Sequence, residues 1–428
     1  MGFRARDLLG PVYICGKARS GKTWLLESIA LHLAEHGAGF CFIDPHRDAV
    51  EDLVEHMDDR RWPLIVDLAR TDRQAGLNPL EVHEEDELPD VVSRTVCAFQ
   101  AAYGWSDRTH PRTLTLARMA TQALVEANLK LADDGKATVF QITTLLTDER
   151  FRDAVLSATS PTVERYFRHE FPHYEPAAAA PLLDKISALR ADRRTKLLLG
   201  QSQSPLDIRQ VMDDGECLLV SLAGLGDKSQ FVGSLFVYEL FRAAKTRADM
   251  PADQRRPFYL LCDEVQLYQG PTLAAACGET PKYGLKLILA NQFLGHLSKD
   301  VRGAILGNYS QLISFTTDQA DAVALADEFG DGVDPGLLTA LPRFTCMVKP
   351  TVERERLSAV QIHTVPPSVY DVLMKCQRSG RRVQQVSNSS EPGTTHQEID
   401  QALADNEAHA LVLLPRNGHG PDFDVYGG

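Results

Sequence analysis

Two spacings of apolar residues alternate along this chain. Residues 11–15 (PVYIC) form a short β-branched and aromatic run of the kind that makes a buried strand. After GKARSGKT, residues 24–35 (WLLESIALHLAE) carry apolar positions at three- and four-residue spacing, which predicts a helix that Gly37 and Gly39 stop. A second strand is expected at 40–43. Strand, helix and strand in so short a span predict a βαβ unit, and with it a parallel sheet. A third extended run at 63–66 precedes GLNPL at 76–80.

The pattern then changes. From about residue 84 to 200 helical spacing dominates, at 91–103, 113–131, 140–146, 161–169 and 181–189, with no convincing buried strand. This block reads as an all-α insertion in an α/β domain. Strand-like runs return at 216–222, 258–262, 285–290, 312–316 and 345–348, with helices between them at 229–245 and 319–329. Residues 377–397 are polar and rich in Ser, Gly, Asn and Thr, which is the composition of a linker or a disordered segment. Residues 399–414 could add one short helix and strand. The organisation expected is an α/β core at 1–83 and 201–365, an inserted helical domain at 84–200, and a polar linker and tail at 366–428.

Composition narrows the class. The 44% hydrophobic share of 428 residues is that of a globular protein. No apolar run approaches the ~20 residues of a membrane-spanning helix. Met1–Leu9 carries Arg4, Arg6 and Asp7 and lacks the apolar stretch of a secretion signal. Eight cysteines without a CxxC pair read as reduced core residues of a cytoplasmic protein, not as a disulfide framework or zinc site. A net charge of -13 argues against a surface coated by nucleic acid, although not against a local basic channel.

Candidate chemistry concentrates at three strand ends. Gly16, Lys17, Ala18, Arg19, Ser20, Gly21, Lys22 and Thr23 match GxxxxGK[ST] between a strand and a helix. Glycines let backbone N–H groups wrap a phosphate, Lys22 would reach the β- and γ-phosphates, and the Thr23 hydroxyl would ligate Mg2+. The run 258–264 (FYLLCDE) is an apolar strand ending in two carboxylates. Asp263 is placed to hold a magnesium-bound water, and Glu264 to act as general base toward an attacking water. Another apolar strand ends at Asn291-Gln292, where the Gln292 carboxamide can touch both γ-phosphate and water. The densest basic stretch, RADRRTK at 190–196, offers Arg190, Arg193 and Arg194 either as phosphate contacts or as a solvated helix face. His46, His169 and His173 lack metal-ligand spacing, and the aromatic pairs Tyr103/Trp105 and Tyr166/Phe167 read as core of the helical insert.

GKARSGKT, IDPHRD at 43–48, GLNPL, LLCDEVQ and ILANQ occur in this order, and the set resembles the HerA/FtsK superfamily of hexameric DNA-pumping ATPases. Within it, the chain is most similar to the cytosolic ATPase domain of TraD/TraG-like type IV secretion coupling proteins. The resemblance covers roughly residues 10 to 350. It implies a RecA-like P-loop core, ATP and Mg2+ as cofactors, and a ring, hexameric in the family, with nucleotide at subunit interfaces and DNA in a central pore. Two departures stand out. Arg47 stands where the family commonly has Gly, which predicts a differently shaped loop. Pro281 stands where the family has the arginine thought to reach a neighbour's γ-phosphate, leaving Lys282 beside it. A lysine stabilises a transferring phosphoryl group less well than a planar guanidinium. The trans-acting cation would then be Lys282, Arg190, Arg193 or Arg194, or hydrolysis would be slow. Alternatives to a DNA motor are a nucleotide-gated adaptor that recruits a protein, or a phage-defence or packaging ATPase of the same superfamily. Coupling proteins carry transmembrane helices ahead of the ATPase and HerA proteins a small β-barrel, whereas here the phosphate loop begins at Gly16. The expectation is either a cytoplasmic relative anchored to the membrane through a partner, or a piece of a longer chain.

Overall fold

The structure is a computed structural model describing residues 8–58, 61–70, 76–174, 176–330, 332–352, 355–364 and 396–411. Among the described residues, ten strands form one mixed sheet: β1 (Val12–Cys15), β2 (Gly39–Asp44), β3 (Leu64–Asp67), β4 (Cys217–Ser221), β5 (Phe258–Cys262), β6 (Leu285–Asn291), β7 (Gln311–Ser314), β8 (Thr345–Val352), β9 (Glu355–Arg356) and β10 (Val360–His363). Their order is β10-β8-β7-β1-β6-β5-β2-β4-β3, with β9 paired to β8. From β7 to β3 all pairings are parallel; β8, β9 and β10 run antiparallel.

The sequence-predicted strands fall where expected. Parallel strands buried on both faces read as unbroken apolar runs, and β1, β2, β4, β5 and β6 are buried at every position. The returning strand β10 is a departure. Its residues are mostly exposed, so an edge strand left no apolar run to find. Helix α2 (Asp48–His56) is likewise additional to the sequence reading, burying Ala49, Val50, Leu53 and Val54 on one side.

Two compact units divide the described residues: those within 1–75, 97–106 and 205–395, and those within 76–96, 107–204 and 396–428. In the first, Leu26, Ala30 and Leu31 of helix α1 (Lys22–Glu35) pack in one apolar cluster with Ile14, Phe40, Phe42, Leu261, Ile288 and Ile313 from the sheet. Each Leu, Ile or Phe side chain among them contributes ~1.5–3 kcal/mol by leaving water. Trp105 corrects the sequence reading. With Tyr103 and Phe99 it belongs to the first unit, where Phe99 lies 4.8 Å from Phe231 and stacks on Trp105 at 5.7 Å. Tyr166 and Phe167 are buried in the second unit, edge to face at 5.2 Å.

Asparagine side chains order the second unit. Asn78, from the GLNPL segment, donates to the carbonyls of Ala137 (3.2 Å) and Ser202 (2.8 Å) and accepts from Leu80 N–H (3.0 Å). Asn128 donates to Leu80 O (3.1 Å) and Ala137 O (3.0 Å) and accepts from Ala137 N–H (2.7 Å). Both are fully buried, so each bond satisfies a backbone group that water cannot reach. The helix His396–Leu411 lies where a short helix was expected at 399–414 and packs within the second unit: Ile399 and Leu403 are buried, and Asn406 donates to Lys136 O at 2.8 Å. Residues 377–395 and 412–414 of the expected linker and strand lie outside the described residues.

Replacing Asn128 with Ala strands one buried N–H and weakens two carbonyl contacts, at about 1–3 kcal/mol for each unsatisfied group. A loss of ~2–4 kcal/mol in chemical denaturation is expected for Asn128→Ala.

Candidate nucleotide site

The parallel register determines what can meet. Cys15 pairs with Asn291 on one side and with Ser314 on the other, while Cys262 pairs with Ile43 and Leu289. Residues just past these pairs therefore share one edge of the sheet, the C-terminal edge where α/β folds hold ligands.

The phosphate loop is stitched to that edge by its own backbone. Gly16 N–H donates to Asn291 O (3.3 Å), Lys17 N–H to Thr316 O (2.8 Å), and Phe344 N–H to Ser20 O (2.9 Å). The loop lies so close to the neighbouring strands that glycine is required. A Cβ on Gly16 would come 2.6 Å from Phe315 Cβ, and one on Gly21, at φ 120°, 2.9 Å from the Phe344 ring. Helix α1 then begins with no side-chain cap and no acid in its first turn. Its open N–H groups and positive dipole end are left for an anion.

Lys22 is buried, with its ammonium 3.4 Å from Lys17 O across the loop. The Thr23 hydroxyl donates to Asp263 Oδ2 at 2.7 Å. Burial raises the Asp263 carboxyl above its ordinary range, opposed by the Thr23 bond. Hydroxyl and carboxylate oxygens are the hard donors that Mg2+ takes alongside phosphate, so this pair fits that ion. Ser20 Oγ is buried within the loop without a protein partner, which also suits a polar ligand.

Glu264 sits in a left-handed backbone conformation (φ 50°, ψ 51°). One carboxylate oxygen accepts from Gln292 Nε2 at 2.7 Å and the other from Gln266 Nε2 at 2.6 Å. The buried carboxylate is thus clamped by two amides, one from each of two adjacent strand ends. Asn291 cannot exchange roles with Gln292, because it accepts from Tyr13 OH (2.6 Å) and donates to Phe293 O (2.7 Å) inside the core. Sequence reasoning passed over Gln266, although LLCDEVQ displays it two residues beyond the base.

Asp44, past the middle of the sheet, accepts from the N–H groups of His46 (2.7 Å) and Val50 (3.2 Å) and so starts α2. Arg47 takes φ 84°, the conformation glycine adopts most readily, and its guanidinium pairs with Asp67 (3.1 Å) and Glu51 (3.3 Å). Glu27, on α1 one turn past Thr23, is buried. Burial, then Asp52, Asp44, Asp263 and Asp48, pushes its carboxyl up to about 8.

Of the four cations named as trans-acting candidates, Lys282 belongs to the unit that carries this loop. Lys282 lies on the turn Thr280–Tyr283 that leads into β6, at the opposite edge of the sheet, with its ammonium 4.9 Å from the centre of the Tyr283 ring. Arg190, Arg193 and Arg194 belong to the second unit, around the start of the helix Arg193–Leu199.

No protein-family model and no curated protein matches the chain. Solved structures do match. TrwBdeltaN70, described as a bacterial conjugative coupling protein, superposes with a TM-score of 0.61 at 16% identity over 84% of this chain and 85% of that one. TrwB in complex with ADP and Mg2+ gives 0.61 at 16% identity, covering 89% and 88%. VirB4 of Thermoanaerobacter pseudethanolicus gives 0.56 at 14% identity, covering 84% and 90%. The chain has the fold of the conjugative coupling proteins. At these identities the likeness is one of fold, and the site rests on its own geometry.

Glu27 gives a pH signature. Its folded carboxyl holds a proton from its ordinary range up to about 8, where the unfolded chain has already lost it. Stability therefore falls as pH rises through that window, since the folded state binds more protons. In Glu27→Gln this component of the slope should vanish, as measured by denaturation midpoints between about pH 5 and 8.

Proposed function

We propose that the chain is an ATP-hydrolysing motor that drives DNA through the centre of a ring. The observation that carries the nucleotide half is the meeting of Thr23, Asp263, Glu264 and Gln292 beside the glycine-rich loop. The DNA half is supported by the fold shared with TrwB, a conjugative coupling protein solved with ADP and Mg2+ and with a non-hydrolysable ATP analogue. On this reading the ATPase core is 1–83 with 201–365 and the inserted helical domain is 84–200, to which the helix at 396–411 adds.

The loop N–H groups and the start of α1 bind the β-phosphate, and Lys22 spans to the γ-phosphate. Thr23 and Asp263 are the residues that would hold Mg2+, which would neutralise negative charge on the phosphates. Glu264 takes the proton of the attacking water. The amides of Gln292 and Gln266 orient it, and Gln292 is placed to exchange Glu264 for a γ-phosphate oxygen. The guanidinium that phosphoryl transfer commonly recruits in trans is proposed to come from Arg190, Arg193 or Arg194 of a neighbouring subunit, or to be replaced by Lys282. A ring, hexameric as in the resembling family, would supply that neighbour, and the acidic charge would face outward from a basic pore. Among the described residues no helix is long and apolar enough to cross a membrane, so a cytoplasmic motor docked on a membrane or secretion-channel partner is the arrangement proposed.

ATP turnover is expected to rise with added DNA and to fall on the order of a hundredfold or more in Lys22→Ala and Glu264→Gln. A wild-type rate indifferent to DNA would favour the nucleotide-gated adaptor; unchanged turnover in both variants would overturn the site. For Gln266→Ala, kcat should drop on the order of tenfold with KM nearly unchanged, because only the orientation of the base is lost.

A further inference from the structure

Among the described residues, four that are not glycine adopt positive φ: Arg19 (63°), Arg47 (84°), Glu264 (50°) and Phe344 (62°). All four lie along the sheet edge that holds the phosphate loop. Such conformations cost of order 1–3 kcal/mol and persist only where the surroundings over-determine them. Arg19 belongs to the loop, Glu264 is the proposed base, and Arg47 carries its ion pairs. Phe344 holds the loop through its N–H and rests its ring against the apolar cluster of the first unit, and that ring takes no part in the phosphate chemistry.

Phe344 is pinned on both sides. Its N–H donates to Ser20 O of the loop (2.9 Å), and its carbonyl accepts from Thr364 N–H (2.8 Å) and Thr364 Oγ1 (3.1 Å). A glycine would make the same three backbone bonds without strain, so what the phenylalanine adds is its ring. That ring lies against Gly21 and is half-buried. The Arg343 guanidinium, exposed, lies over it at 4.5 Å from the ring centre.

The sheet order says which end of a nucleotide reaches this stack. Asp263, Glu264 and Gln292 follow β5 and β6, on one side of β1, and define where the γ-phosphate points. Phe315 and Thr316 follow β7 and Phe344 precedes β8, on the other side of β1. A nucleotide with its phosphates in the loop and its γ-phosphate toward Gln292 directs its base toward β7 and β8. A guanidinium held beside an aromatic ring offers a surface on which nucleobases stack.

We propose that Arg343 and Phe344 form the platform for the nucleobase of the bound nucleoside triphosphate, adding a base-binding subsite to the phosphate site. The proposal rests on the reading of the loop as a phosphate cradle, and inorganic tripolyphosphate separates the two. That probe offers the same phosphates without a base. Calorimetric titration of the full chain with Mg-ATP and with Mg-tripolyphosphate is the test, on wild type, Arg343→Ala, Phe344→Gly and Lys22→Ala. Phe344→Gly suits the left-handed backbone, and Arg343→Ala changes an exposed side chain, so both should fold.

The expected result is that both platform variants weaken Mg-ATP on the order of tenfold, by the loss of base stacking, and leave tripolyphosphate within about twofold. Lys22→Ala should weaken both ligands. Unchanged Mg-ATP affinity in the platform variants, with Lys22→Ala still impaired, would overturn the platform and leave the cradle standing. Equal losses of Mg-ATP and tripolyphosphate in Phe344→Gly and Arg343→Ala would also overturn it, by assigning the pair to support of the loop. Affinities untouched by Lys22→Ala would overturn the cradle and the platform together.

Discussion

The hydrogen bond from Thr23 to Asp263 joins residues 240 positions apart. It forms only if the first turn of α1 and the end of β5 arrive at the same height, and they are not neighbours in the sheet: β6 runs between β1 and β5. That alignment depends on the parallel register through β6, on the burial of β1, β5 and β6 at every position, and on glycines that let the loop lie flat on the strand ends. A shift of one residue in β6 would move Gln292 away from Glu264 and exchange the side chains packed on the two buried faces of the sheet. Sheet packing and site chemistry are therefore one constraint, expressed at a 2.7 Å contact.

Much of this could be read from residues in order. Buried parallel strands announce themselves as apolar runs, and the residues that follow them, Gly16 to Thr23, Asp263–Glu264 and Gln292, were identifiable because their types match phosphate chemistry. The structure brings Thr23, Asp263, Glu264 and Gln292 together through two hydrogen bonds. Less legible were features that depend on partners distant in sequence. Gln266 becomes notable only when its amide is found on Glu264. Phe344 carries no motif, and its strain is a property of backbone held from both sides by Ser20 and Thr364. Trp105 reads as helical-insert core by proximity in sequence, but Phe99 and Phe231 draw it to the first unit.

The GLNPL segment shows a motif whose work is structural. Asn78 spends its amide on the backbone of the second unit, as Asn128 does, and the Arg94 guanidinium, also buried, donates to the carbonyls of Pro79 (2.7 Å) and Glu81 (2.8 Å). Polar side chains here replace the regular ladder that an irregular segment lacks, which explains how so polar a stretch can lie within a compact unit.

The left-handed residues along the site edge set a limit on improving this protein by selection for heat resistance. Glycine at any of the four positions would relax the backbone, so a screen for higher melting temperature has a ready route there. At Glu264 that route removes the proposed base, and at Arg47 it breaks two ion pairs. Consensus design or thermal selection applied without a functional readout would thus tend to harvest stability from the edge that carries the phosphate loop first, and return a sturdier fold stripped of the proposed base.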